Sequence, residues 1–258
     1  MNRVFLLLFS FVFLLRLASA DSINYAIISS DTTLSNPSWV KVIDALSEKH
    51  KNSKIFSFKE GKPEQVLLEL KESAPKYTCF VAHHKEVTRE WVSKIHQLTR
   101  NLDEDPYTDT IWGILTGYDA ANALSIAKTN KPLTIERVAS GTEVALEHCV
   151  EGIWYCELNK GKIVQKKRNE SPSESQGPDD STEALAKTLN DYKAQLFVTS
   201  GHATERGWQI GFRYKNGYFK SKNGNLYGQD TSGRNIPISS NNPKVYMPIG
   251  NCLMGHID

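Results

Sequence analysis

The chain predicts an α/β protein built on an open, mostly parallel sheet with helices on both faces. Two observations carry that class. Short, continuous apolar runs bounded by polar residues recur at 23–31, 53–58, 77–82 and 110–119, the pattern of strands buried on both faces. Between them lie segments whose apolar residues recur at helical spacing, so strand and helix alternate as they do in parallel sheets.

Taken in order, "INYAIISSD" (23–31) is the first strand. "WVKVIDALSEKHK" (39–51) follows as a helix, with Trp39, Val42, Ile43 and Leu46 on one face. "SKIFSF" (53–58) is a second strand, and "PEQVLLELKES" (63–73) a helix that opens on Pro63, where a missing N–H costs nothing. "YTCFVA" (77–82) is a strand, "VTREWVSKIHQLTRNL" (87–102) a helix, "TIWGILTGYD" (110–119) a strand and "AANALSIAKT" (120–129) a helix. From about 131 the pattern changes. "GIWYCELNKGKIVQKK" (152–167) predicts two strands around an Asn-Lys-Gly turn, an antiparallel excursion. The segment 165–181 is expected to be a mobile loop, because "RNESPSESQGPDDS" is too polar to bury what ordering it would cost. It carries the sequon Asn169-Glu170-Ser171, which matters only in a eukaryotic host, and it is an exposed candidate for proteolytic processing. "STEALAKTLNDYKA" (181–194) is a helix capped by Ser181, and "QLFVTSGH" (195–202) returns to the sheet.

The opening "MNRVFLLLFSFVFLLRLASA" has the charged start, short apolar core and A-x-A end of a signal peptide over 1–20. Its apolar run is short against the ~20 residues that cross a bilayer, and Arg16 interrupts it. Export to a secreted or periplasmic location is therefore expected, with one domain over 21–258 and no membrane span once the signal is removed. Arg3 and Arg16 leave with the signal, so the 29 remaining Lys and Arg face 29 Asp and Glu. That balance removes any electrostatic case for a nucleic-acid partner. The cysteines are Cys79, Cys149, Cys156 and Cys252, too few and too scattered for a disulfide-built fold. Cys149 and Cys156 are close enough to pair across a turn, whereas Cys79 reads as a buried strand residue.

Chemistry gathers at two strand ends. "LFVTSGHATERGW" (196–208) places His202 after one apolar run, and "VYMPIGNCLMGH" (245–256) places Cys252 after another. In open parallel sheets functional groups collect at the carboxyl ends of strands. A thiol needs an adjacent base to be a nucleophile at neutral pH, and histidine is the usual one. Two adjacent strands ending level would bring the pair to one edge, with the fifty residues between them free to form loops and a substrate wall. Gly201, Gly250 and Gly255 permit tight backbone there, and the N–H groups of Ala203 and Cys252 suit an oxyanion. Each residue alone has a plainer role: a cysteine after "YMPIG" as a buried thiol, a histidine beside glycine as a loop residue.

The order of His then Cys, each after an apolar strand, resembles the caspase–gingipain group of cysteine peptidases. Within the group "HATERGW" is similar to the gingipain His-Gly-Ser-Glu-x-x-Trp stretch at His202, Glu205 and Trp208. The likeness spans roughly 23–130 and 182–258, with its specific motifs confined to the two short stretches. It implies a gingipain-like cysteine endopeptidase acting on protein or peptide substrates. Cys252 would be the nucleophile and His202 the base, and the chemistry would need no metal or organic cofactor. Glu205 either orients His202 or is an exposed loop acid; Trp208 either lines the substrate groove or packs its loop onto the sheet. Ala203 stands where the family has glycine, and Asn251 where it has alanine. Pro248 predicts a bulge in a strand expected to be central. Family members continue past the cysteine with a helix and further strands, so the chain is expected to be incomplete after 258.

Two other functions compete. Cys252-x-x-x-His256 with His202 has metal-ligand spacing, and His83-His84 is a weaker metal candidate. A non-catalytic binding module on the same fold is the other. A nucleotide-binding sheet is disfavoured, because no Gly-rich strand-to-helix loop of either phosphate-binding type occurs.

Overall fold

A computed structural model describes residues 23–204, 206–211 and 216–249. Residues 1–22, where a signal peptide is expected, and the candidates Glu205, Gly250, Asn251, Cys252, Gly255 and His256 lie outside the described residues. Within them the chain is an α/β protein with a parallel four-strand sheet, a mixed six-strand sheet and an antiparallel five-strand sheet, all open.

The first sheet contains β1 (Tyr25–Ser30), β2 (Ser53–Phe58), β3 (Tyr77–Val81) and β4 (Ile111–Leu115), all parallel, in the order β2-β1-β3-β4. The short α1 (Asp31–Leu34) precedes α2 (Pro37–Lys49); α3 (Leu67–Ser73), α4 (Arg89–Leu98) and α5 (Ala120–Ala127) follow. Alternation along β1 and β3 feeds two cores. Ala26, Ile28 and Phe80 meet Leu70 of α3 with Trp91, Ile95 and Leu98 of α4 on one face. Ile27, Cys79 and Val81 meet Trp39, Val42, Ile43 and Leu46 of α2 with Ala123 and Ala127 of α5 on the other. Local signals set these helix starts. Asn36 accepts from Ser38 N at 3.0 Å beside Pro37, Thr88 from Trp91 N at 3.2 Å, and Asp119 from Asn122 N at 2.9 Å. Cys79 is the buried strand thiol its context predicts, and burial pushes its pKa up to about 11.

The second sheet is built from β5 (Arg137–Ser140), β6 (Glu151–Tyr155), β7 (Lys162–Lys166), β8 (Ser173–Gln176), β9 (Leu196–Ser200) and β15 (Val245–Ile249), in the order β15-β9-β5-β6-β7-β8. The four strands from β15 to β6 are parallel, and β7 and β8 are antiparallel. Helix α6 (Thr182–Asp191) lays Leu185, Ala186 and Leu189 against Ala139, Tyr155 and Phe197. Between β9 and β15 the chain forms the third sheet, β10 (Ala203–Thr204), β11 (Gly207–Gln209), β12 (Tyr218–Lys222), β13 (Asn225–Gln229) and β14 (Asn235–Ile238), each antiparallel to the next. Trp208, Ile210 and Phe219 join this sheet to the core under β9. Among the described residues no helix is long and apolar enough to cross a membrane.

Several expectations need correction. The single sheet is three, because apolar periodicity identifies strands but not their neighbours. The segment expected as a loop over 165–181 begins inside β7 and contributes β8. Its four exposed residues pair with β7 through backbone hydrogen bonds, which require no apolar side chain. Ion pairs from Lys162 to Glu174 (2.9 Å) and Lys160 to Asp179 (2.7 Å) brace it. Cys149 and Cys156 form no disulfide with one another. The Cys149 thiol lies toward Ala145 O, and Cys156 Sγ accepts from Asn159 N at 3.2 Å. Ser181 makes no side-chain cap bond; Asp180 takes the Thr182 N–H instead at 3.0 Å, and Ser181 Oγ accepts from Asn216. Pro248 causes no bulge: β15 stays in continuous register with β9, and among the described residues β15 is an edge strand, where a missing N–H can face outward.

The first core gives a direct stability expectation. Phe80 is fully buried, with edge-to-face contacts to Trp91 and Trp112. Phe80→Ala should destabilise the protein by about 3–5 kcal/mol in urea unfolding. Leu68→Ala, at a site 70% exposed, should change it by no more than about 0.5 kcal/mol.

Candidate active site

Strand β9 has partners on both sides, β5 and β15, and buries Phe197, Val198 and Thr199. Gln195 sets its start: the side-chain oxygen accepts from Arg137 N at 2.7 Å, and its own N–H donates to Arg137 O at 3.0 Å. On the other side the ladder runs from Val245 opposite Leu196 to Ile249 opposite Ser200. The two strands therefore end level. Tyr246, whose hydroxyl lies 2.6 Å from Thr199 Oγ1, stacks on Phe197 and ties the pair on one face. Burial pushes the Tyr246 hydroxyl up to about 12.

Immediately past β9 the backbone turns. Gly201 has φ of +135°, and a Cβ there would come within 3.1 Å of Gln209 Cβ, so glycine is required twice over. His202 follows with an exposed side chain. Its backbone is clamped: N–H donates to Gln209 Oε1 at 3.2 Å, and C=O accepts from Gln209 N at 2.9 Å. Ala203 lies opposite Trp208. Directly opposed pairs alternate in an antiparallel ladder, so bonding at the 202/209 pair turns the Ala203 N–H away from β11, toward the open side of β10.

Beside His202 lies a groove of about 380 Å³ lined by Ala203, Thr204, Gly207, Gln209, Tyr218 and Lys220. The residues between the two strand ends thus do build a wall, as a sheet rather than as loops. Lys220 Nζ donates to Gln229 Oε1 at 2.6 Å. Trp208 is not part of this lining. Its ring is buried, edge-on to Phe219 and tilted against Tyr246, so it packs the hairpin onto the core.

The same edge holds a residue that sequence reasoning missed. Glu157 follows β6; its Oε1 accepts from Thr142 Oγ1 at 2.6 Å, while Oε2 is buried without a partner. Thr142 follows β5, where Gly141 lets the chain after β11 cross closely: a Cβ would lie 2.6 Å from Ile210 O. An acid directly after the apolar "GIWYC" was the available signal, but the nearby Asn-Lys-Gly turn drew the segment toward a hairpin reading.

For metals, the group among the described residues with three ligand atoms within 4.8 Å of one another is Asp103, Asp105 and Asp109. Their carboxylates already accept loop N–H groups from Asp105, Tyr107 and Leu102, so the loop is held by the protein itself. His202 is not part of that group. His83 and His84, the weaker metal candidate, are not part of that group either. They lie beyond β3 with rings stacked at 4.3 Å, and His83 Nδ1 accepts from Lys85 N at 3.1 Å.

Comparison with known proteins returns no match, whether to a family model, a curated protein or a solved structure.

The clamp on His202 is testable. Gly201→Ala should cost about 1–3 kcal/mol, since it places a side chain at positive φ against Gln209. Thermal unfolding reads the cost. Histidine NMR should report a changed His202 environment while His96, on α4, keeps its signals.

Proposed function

We propose that this protein is a secreted, gingipain-like cysteine endopeptidase in which Cys252 is the nucleophile and His202 the base. One observation carries the reading: β9 and β15 are adjacent, parallel and level, with Ser200 opposite Ile249. In sequence His202 comes two residues after the end of β9 and Cys252 three after the end of β15, and that spacing supports a shared sheet edge for the pair. The order of His then Cys and the "HATERGW" stretch support it from sequence, and the groove beside His202 offers space for an extended substrate.

In this mechanism His202 takes the Cys252 thiol proton as sulfur attacks the scissile carbonyl carbon. The carbonyl oxygen becomes an oxyanion, facing the N–H groups of Ala203 and Cys252. Collapse of the tetrahedral species breaks the C–N bond, and His202 delivers its proton to the leaving amine. A thioester remains on Cys252. Water, deprotonated by His202, attacks that thioester and releases the acid with the thiol restored. Every proton is carried by His202, so the cycle requires no organic cofactor or metal.

Cys252→Ala should reduce peptide hydrolysis by the full chain to background, with the circular dichroism spectrum unchanged. His202→Ala should lower kcat by about 10²–10⁴-fold. A thiol-directed peptide electrophile should label Cys252 in wild type and label it far more slowly in His202→Ala, as read by mass spectrometry. Undiminished hydrolysis by Cys252→Ala, or one zinc bound per chain without hydrolysis, overturns the assignment. Amino-terminal sequencing of exported protein should begin at Asp21.

A further inference from the structure

A second cavity lies away from His202. It encloses about 580 Å³, the size of a small-molecule site, between the third sheet and the amino-terminal halves of β9 and β15. Its lining is mixed: Leu189 of α6, Phe197 of β9, Leu226 of β13, Ile238 of β14 and the rings of Trp208 and Tyr246 supply apolar surface. Polar surface comes from the 239–241 segment with Lys244, and from Asn122 of α5 and Asn225 of β13.

One charge stands in this lining. Lys244, just before β15, is half-buried, and Nζ is held by Ser240 Oγ at 3.0 Å and Asn242 O at 2.9 Å. An ammonium has three protons to donate, so one remains for a ligand. No carboxylate lines the cavity, and among the described residues Lys244 has no acidic partner. Burial accordingly lowers its pKa, the sign of a cation short of counter-charge.

We propose that this cavity binds a small amphiphilic monoanion, an aliphatic carboxylate whose chain lies against the six apolar side chains and whose headgroup pairs with Lys244. The single cation balances one negative charge, whereas a phosphate dianion would leave one charge without a counter-charge. The site is independent of the peptidase reading, for Lys244 takes no part in that chemistry.

Isothermal titration of the full chain with decanoate, below its micellar concentration, should give saturable binding at one per chain and a raised Tm. Decanol should bind at least tenfold more weakly. Lys244→Gln should weaken decanoate about tenfold while leaving decanol unchanged, and its circular dichroism should match wild type. Leu226→Trp, which fills the cavity, should abolish both. The proposal is overturned if decanoate fails to saturate, if Lys244→Gln binds it equally well, or if decanol matches decanoate. N-acetyl-leucine amide and N-acetyl-leucine provide the peptide arm, and tighter binding of either than of decanoate also overturns it.

Discussion

The parallel pairing of β9 with β15 is the constraint on which the candidate site depends. In sequence the ends of these two strands, Ser200 and Ile249, are about fifty residues apart. In the sheet they lie opposite one another, so the two backbone ladders end at the same level. The pairing is secured from both faces of the chemistry: Gln195 anchors β9 to β5 at its start, and the Tyr246–Phe197 stack with the Thr199 hydroxyl contact holds β15 to β9. Backbone geometry sets the two strands level, and aromatic packing keeps that geometry.

Inserting the third sheet between these two strands has a structural consequence. A crossover of this length must close a long loop, a cost that grows slowly with length and is offset once the insertion makes its own contacts. Here Trp208, Ile210 and Phe219 bury against Phe197, so the insertion shares a core with the strands it separates. One face of that sheet presents Tyr218 and Lys220 to the groove by His202, and the other lines the cavity near Lys244. Period-two alternation lets one short sheet serve both sides.

The first and second sheets differ in how they resist disorder. The first is covered by helices on both faces, buried on both sides of β1 and β3, with helices started by side-chain caps and Pro37. The second relies more on polar fastening. Arg137 and Arg168 converge on Glu151 at 3.0 and 3.2 Å, and Arg234 joins Glu183 to Asp230 across the turn before β14. Exposed pairs of this kind contribute little each, so the core under α6 must supply most of the cohesion.

Strand and helix identities around the first sheet were legible from sequence. A strand buried on both faces must be largely apolar and an amphipathic helix must repeat its apolar residues every three or four positions, so "YTCFVA" and "WVKVIDALSEKHK" announce themselves. The strands that precede His202 and Cys252 in sequence were visible from their apolar runs. What sequence could not supply was partnership. Backbone hydrogen bonds are chemically alike everywhere, so nothing in "SESQ" marks it as an edge strand, nothing separates one sheet from three, and nothing near Glu157 announces a carboxylate oxygen buried alone. Those features exist only once distant segments are packed together, and only the tertiary structure decides them.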